Sequence, residues 1–277
     1  MTYRDRLQHA TSTLGHVCVG LDPVPAKLPP HLRDAPVGVA LFLVDIIRAT
    51  APYAAAYKPN VAFFEALGPM GDKALETAIA AVREHAPDAV LIGDAKRGDI
   101  GSTAERYAVA LFDRWGFDAA TVNPYFGTDG VKPFVERPDR GAILLAATSN
   151  PSAVEVQRAW EGVALPNVIA KLARDQWNEH HNVALVVGAT RIEDMASVRA
   201  DCGDIPWLIP GIGAQGGDLE ASLRYGVGAS GIPSLVNASR SVLYASSGED
   251  FAEAAAAEAK RMQEAISSAR ATLANAG

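Results

Sequence analysis

The sequence predicts an α/β chain folded as a (β/α)8 TIM barrel, and three observations carry that prediction. Short apolar, β-branched runs alternate with longer helical patterns, the reading expected of βα units on a parallel sheet. Eight such runs occur, the number a closed barrel requires. Charged residues gather where runs end, with Lys58 closing the second and Asp94-Ala95-Lys96 the third. A doubly wound open sheet is the structural rival.

In chain order the strand candidates are His16 to Leu21, Ala54 to Lys58, Ala89 to Lys96, Ala119 to Asn123, Ala142 to Ala147, Val183 to Gly188, Trp207 to Pro210 and Ser234 to Asn237. Helical patterns lie between them, among them Gly38 to Thr50, Gly71 to His85, Ser102 to Trp115, Arg191 to Ala200 and Asp218 to Tyr225. The alanine-rich stretch Asp250 to Leu273, with interspersed Glu, Lys and Arg, suits a helix packed on a surface. Ser247 and Asp250 resemble a capping box at its start. The proline-dense segment Pro23 to Pro36 reads as an irregular loop after the first strand. No low-complexity linker divides the chain, so residues 1–277 are read as one barrel domain.

Composition removes several functional classes. Hydrophobic residues are 49% and charged residues 21%, an ordinary globular balance. No apolar run reaches the roughly eighteen residues of a membrane span, and Met1 to Arg6 lacks the apolar stretch of a signal peptide. Cys18 and Cys202 form no CxxC pair, which points to a reducing cytoplasm without disulfides or a thiolate metal site. A net charge of −7 argues against a nucleic-acid partner. It leaves a small anionic substrate open, because a few lysines in a cleft can outweigh an acidic exterior.

The sharpest chemical feature is Asp94-Ala95-Lys96-Arg97-Gly98-Asp99. Alternate side chains of a strand share a face, so Asp94 and Lys96 are expected to point with Val90 and Ile92 towards the barrel axis. Lys58 adds a cation on the neighbouring strand. A lone Asp-x-Lys is usually a structural ion pair. Four charges at the carboxyl end of one sheet, where barrel active sites are built, favour a functional site.

A second feature is Pro210 to Asp218, whose glycines allow close backbone approach and whose following helix offers free N–H groups to an anion. Gly211, Gly213 and Gly216 match GxGxxG, but no acidic residue follows at the distance that would hold a ribose. A phosphate site after strands seven and eight fits better, with Arg240 as a bidentate clamp. Thr148-Ser149-Asn150 taken alone reads as an ordinary turn. No Walker A loop, GxSxG elbow or HExxH helix occurs, and the six histidines lack ligand spacing.

Lys58-Pro59-Asn60 leading into Phe63-Phe64-Glu65, the Asp94/Lys96/Asp99 run, Ser149-Asn150-Pro151 and the Pro210 to Asp218 loop together resemble the orotidine 5′-phosphate decarboxylase family, in its longer bacterial subgroup. The likeness runs from about Cys18 to Arg240. It implies a homodimeric barrel that converts orotidine 5′-monophosphate to UMP and carbon dioxide without metal or organic cofactor. It implies that Lys58, Asp94 and Lys96 act from one subunit while Asp99 and Thr103 reach the neighbour's site. By the same likeness Asp22 holds ribose hydroxyls, Ser149 and Asn150 meet the pyrimidine, Gln215 with Gly216 and Arg240 bind phosphate, and Lys96 protonates C6. The rivals are a magnesium-dependent phosphosugar decarboxylase or Schiff-base aldolase of the same superfamily, and a barrel that binds nucleotides without turning them over.

Overall fold

The structure is a computed structural model that describes residues 1–35, 37–158, 162, 164–212, 217–228 and 230–275. Eight parallel strands close into a barrel in sequence order, as the alternation predicts. They are β1 (Val17–Leu21), β2 (Ala56–Pro59), β3 (Val90–Arg97), β4 (Ala119–Val122), β5 (Gly141–Ala147), β6 (Val183–Val187), β7 (Trp207–Pro210) and β8 (Leu235–Ala238). Each expected strand lies within a residue or two of its observed bounds.

Inward-facing residues fill the lumen in layers: Cys18, Ala56, Val90, Ile92, Ala119, Ile143, Ala184, Leu208 and Leu235 form one buried cluster. Its floor is a helix the strand pattern did not announce, α1 (Tyr3–Leu14). Thr2 and Asp5 form a capping box at its start, and Tyr3, Leu7 and Ala10 recur at helical spacing to face the lumen. The Tyr3 ring lies over Gly141, where an added Cβ would sit 2.5 Å from it. One end of the barrel is therefore plugged, and the carboxyl ends of the strands are the open mouth.

The outer core joins the strands to α2 (Gly38–Thr50), α3 (Pro69–His85), α4 (Gly101–Val109), α5 (Thr128–Val135), α6 (Leu165–Leu172), α7 (Ile192–Cys202), α8 (Leu219–Gly226) and α9 (Phe251–Asn275). The helix expected over Ser102 to Trp115 is α-helical only to Val109 and then widens into a π-turn over Ala110–Arg114. The expected irregular loop after β1 carries a 3₁₀ turn at Pro25–Lys27 and a short helix at Pro30–Arg33, while Pro36 lies outside the described residues. At α9 the capping reading is off by one: Ser246, not Ser247, hydrogen-bonds the Asp250 side chain at 2.6 Å. The Asp250 carbonyl accepts the first helical N–H, from Ala254.

Two polar groups near the closed end serve the fold. Asp118 accepts two hydrogen bonds from Arg83 and one from the Leu91 N–H, tying α3, β3 and the start of β4 together. His16 donates Nδ1–H to the Ser234 carbonyl at 2.7 Å, and burial pushes its pKa down to about 4. The folded protein therefore holds His16 neutral while the unfolded chain takes up a proton below about 6.5. Stability is full above that pH and is lost as pH falls from 6.5 towards 4, by an amount on the order of 3 kcal/mol. Urea unfolding at pH 7 and pH 4 should show His16→Asn, which keeps a donor near Nδ1, losing less stability than the native chain.

Candidate active site

At the mouth three of the predicted charges meet. Lys58, only 5% exposed on β2, places Nζ 2.8 Å from Oδ2 of Asp94. Lys96 places Nζ 2.6 Å from Oδ1 of the same carboxylate. Asp94 is 7% exposed, whereas the Lys96 side chain is half exposed and faces the opening. Thr121 of β4 donates its hydroxyl to Asp94 Oδ1 at 2.8 Å, so both carboxylate oxygens are bound. Burial by itself would raise the Asp94 pKa, but the Lys58 and then the Lys96 ammonium outweigh it and hold the carboxyl well below the usual range. Burial likewise opposes the charge on Lys58, and the carboxylates of Asp94 and then Asp22 overcome it, raising that pKa. The pair therefore stays ionised in an apolar lumen.

Lys96 does not arrive there by simple alternation. Gly93 pairs with Ala120 of β4, yet Arg97 pairs with Val122, so β3 carries two extra residues in between. Lys96 itself has φ +48, one of two non-glycine residues among those described with positive φ. The strand bulges, and the left-handed residue swings the lysine back over Asp94. The expectation that Asp94 faces the axis with Val90 and Ile92 matches the geometry. For Lys96 the pleat is replaced by the bulge.

Asp99 does not join its own chain's cluster; its Oδ1 accepts the Ile100 N–H at 2.7 Å. Thr103, exposed in the first turn of α4, is also turned away. Beside the lysine pair a cavity of about 180 Å³ is lined by Asp22, Lys58, Gly211, Asn237, Ser239 and Arg240, among others. Oδ1 of Asp22 and Oδ1 of Asn237 are buried without a hydrogen-bond partner. Arg240 opens the short helix after β8 and is exposed towards this cavity. Gln215 and Gly216 lie outside the described residues. The Gly217 N–H donates to the Gly211 carbonyl at 3.0 Å. Ser149 and Asn150 follow β5; the Asn150 amide accepts from Thr148 and donates to Ser152, while Ser149 packs against Gly188.

Thr121 and Asn237 are site residues that sequence reasoning missed. Each shares strand parity with a lumen residue, Ala119 and Leu235, and that parity was the available signal. Among the described residues no group of three or more His, Cys, Asp or Glu is arranged to hold a metal ion.

The comparisons agree with one another. The profile of the "Orotidine 5'-phosphate decarboxylase / HUMPS family" matches residues 15–257. The chain is 46% identical over 268 residues to orotidine 5'-phosphate decarboxylase of Janthinobacterium sp. (strain Marseille), covering 96% of this chain and 98% of the relative. Among solved structures it resembles Leishmania donovani OMP decarboxylase with a TM-score of 0.85 at 36% identity, covering 98% and 99% of the two chains. It also matches Leishmania donovani UMP synthase with a TM-score of 0.85 at 38% identity, covering 98% of this chain but 57% of that longer one.

Proposed function

The chain belongs to the orotidine 5′-phosphate decarboxylase family, and from that premise we propose that it converts orotidine 5′-monophosphate to UMP and carbon dioxide, with Lys96 as proton donor. The observation that carries this reading is the ammonium–carboxylate–ammonium cluster of Lys58, Asp94 and Lys96 at the mouth, beside a polar cavity.

The chemistry explains why such a cluster is needed. Heterolysis of the C6–carboxylate bond releases carbon dioxide and leaves the electron pair on C6, in the ring plane, with no adjacent carbonyl to delocalise it. A fixed ammonium at that position stabilises the developing charge and then delivers a proton to C6, which becomes C6–H of UMP. Lys96 is aimed by Asp94, and Asp94 is held ionised and in place by Lys58. The orphan oxygens of Asp22 and Asn237 suit ribose hydroxyls, whose donors would satisfy them. Arg240, with Gln215 and Gly216, takes the 5′-phosphate, and Ser149 and Asn150 meet the pyrimidine. The phosphate supplies binding energy remote from the reacting carbon, which is used to order the site.

The working unit in this reading is a homodimer, with residues 1–277 forming one barrel domain per subunit. Ile100, Tyr125 and Phe126 are 53%, 80% and 46% exposed around the segment that carries Asp99. Such a cluster of exposed apolar side chains suits burial against a second copy, which would receive Asp99 and Thr103 in its own mouth. Two free buried cysteines fit a cytoplasmic enzyme of pyrimidine biosynthesis. Among the described residues no helix is long and apolar enough to cross a membrane.

The test is to follow orotidine 5′-monophosphate loss and UMP formation by the purified chain, with and without EDTA. Equal turnover in both is expected. Turnover abolished by EDTA would point to the magnesium-dependent sister chemistry, and a borohydride-trapped substrate adduct would point to an aldolase.

A further inference from the structure

We propose that Thr121 is a positioning residue for the proton donor, its hydroxyl fixing both the bulge that carries Lys96 and the carboxylate that aims it. Thr121 is 1% exposed on β4, in a lumen whose neighbouring layers are apolar. A hydroxyl placed there needs both its donor and its acceptor satisfied. It meets that need with two groups of one strand: Oγ1 accepts the Lys96 N–H at 2.9 Å and donates to Asp94 Oδ1 at 2.8 Å.

The bulge explains why those two groups are in reach. The register steps from Gly93↔Ala120 to Arg97↔Val122, which leaves Asp94, Ala95 and Lys96 without pairing partners on β4. An N–H in such a gap has lost its ladder carbonyl, and a buried orphan donor is unfavourable. The Thr121 hydroxyl stands in for the missing carbonyl at Lys96, the residue whose φ is +48. A left-handed non-glycine backbone persists only when its surroundings over-determine it. The same oxygen then passes its own proton to Asp94 Oδ1, the atom that also binds Lys96 Nζ at 2.6 Å. Backbone, carboxylate and ammonium are thereby locked into one ring of contacts through a single hydroxyl. Thr121 is buried from solvent, and both of its hydrogen bonds go to the strand that carries Lys96, so it acts through Lys96.

The experiment compares Thr121→Val, which keeps the shape and removes the hydroxyl, with Thr121→Ser, which keeps the hydroxyl. A displacement of Lys96 of about 1 Å is expected to lower kcat about 100-fold in Thr121→Val. KM and UMP affinity should be close to native, because the ribose and phosphate contacts are elsewhere. Thr121→Ser should recover most of the kcat. If the valine variant does not fold, the serine–alanine pair asks the same question, since the two differ only in Oγ. A native kcat in a folded chain without the hydroxyl overturns the inference. So does an equal loss with and without the hydroxyl, or a loss confined to KM. Because the inference rests on the decarboxylase reading, the native chain is assayed alongside. Inactivity there overturns both readings, whereas an active native chain with an unimpaired Thr121→Val overturns this one alone.

Discussion

Lys96→Ala is expected to lower kcat by about 10⁴-fold or more, since it removes the proposed general acid together with the cation proposed to face the developing carbanion. The fold should hardly notice. The Lys96 side chain is half exposed, and in its absence Asp94 still binds Lys58 at 2.8 Å and the Thr121 hydroxyl at 2.8 Å. The remaining carboxylate is thus still compensated, unlike the case where a buried charge loses its only partner. UMP affinity should be largely kept, because Asp22, Arg240 and the loop after β7 are untouched. Steady-state kinetics with UMP as a competitive inhibitor, alongside a thermal melt, separates the two effects. A kcat within tenfold of native, or a collapse of the melt, would contradict the assignment.

Lys58→Ala should differ in its effect on the fold. It strips the buried half of the pair and leaves a buried carboxylate with one exposed ammonium, so stability as well as turnover should fall.

The second large effect concerns which chain supplies Asp99. In this structure Asp99 bonds its neighbour Ile100 and no lysine of its own chain, so the cluster of one subunit holds two ammonium groups and a single carboxylate. A second carboxylate from a partner would balance that charge where the substrate's own carboxylate must sit. Asp99→Ala alone and Lys96→Ala alone should each be nearly inactive. In a mixed dimer, however, the subunit carrying Asp99→Ala keeps its own Lys96 and receives a native Asp99 from its partner. The other site carries both defects. Equal co-expression should therefore restore about a quarter of native turnover, half of the dimers being mixed with one good site each. If Asp99 served its own chain, mixing two inactive variants would restore nothing. Tagging the two variants differently and isolating the mixed dimer makes the comparison direct.

How much of this was legible in the sequence differs from residue to residue. The eight strands announced themselves because both faces of a parallel barrel strand are buried, which writes them as short apolar runs between helical patterns. The plug α1 did not, because it precedes the first βα unit and buries only Tyr3, Leu7, Ala10 and Thr11 among mostly polar neighbours. Lys58 and Asp94 could be placed from strand parity alone. Lys96 landed correctly for an incomplete reason: parity aimed it at the axis, while the register shift between Gly93 and Arg97 is what carries it there. A bulge of that kind has no signature in a run such as Val90-Leu91-Ile92-Gly93-Asp94-Ala95-Lys96. Thr121 was hidden for the related reason that threonine is an ordinary strand former, so its hydroxyl attracts no notice until its two partners are seen. Asp99 and Thr103 follow β3 in sequence but do not join the cluster, so their proposed place in a site depends on a second subunit.

Proton transfer between the Lys96 ammonium and C6, as proposed, is accessible from the product side by microscopic reversibility. In D₂O the enzyme with UMP should catalyse exchange of the C6 hydrogen for deuterium, followed by proton NMR as loss of the H6 resonance. Exchange is expected with the native chain, and none above background with Lys96→Ala at saturating UMP. Exchange by Lys96→Ala at the native rate would contradict it.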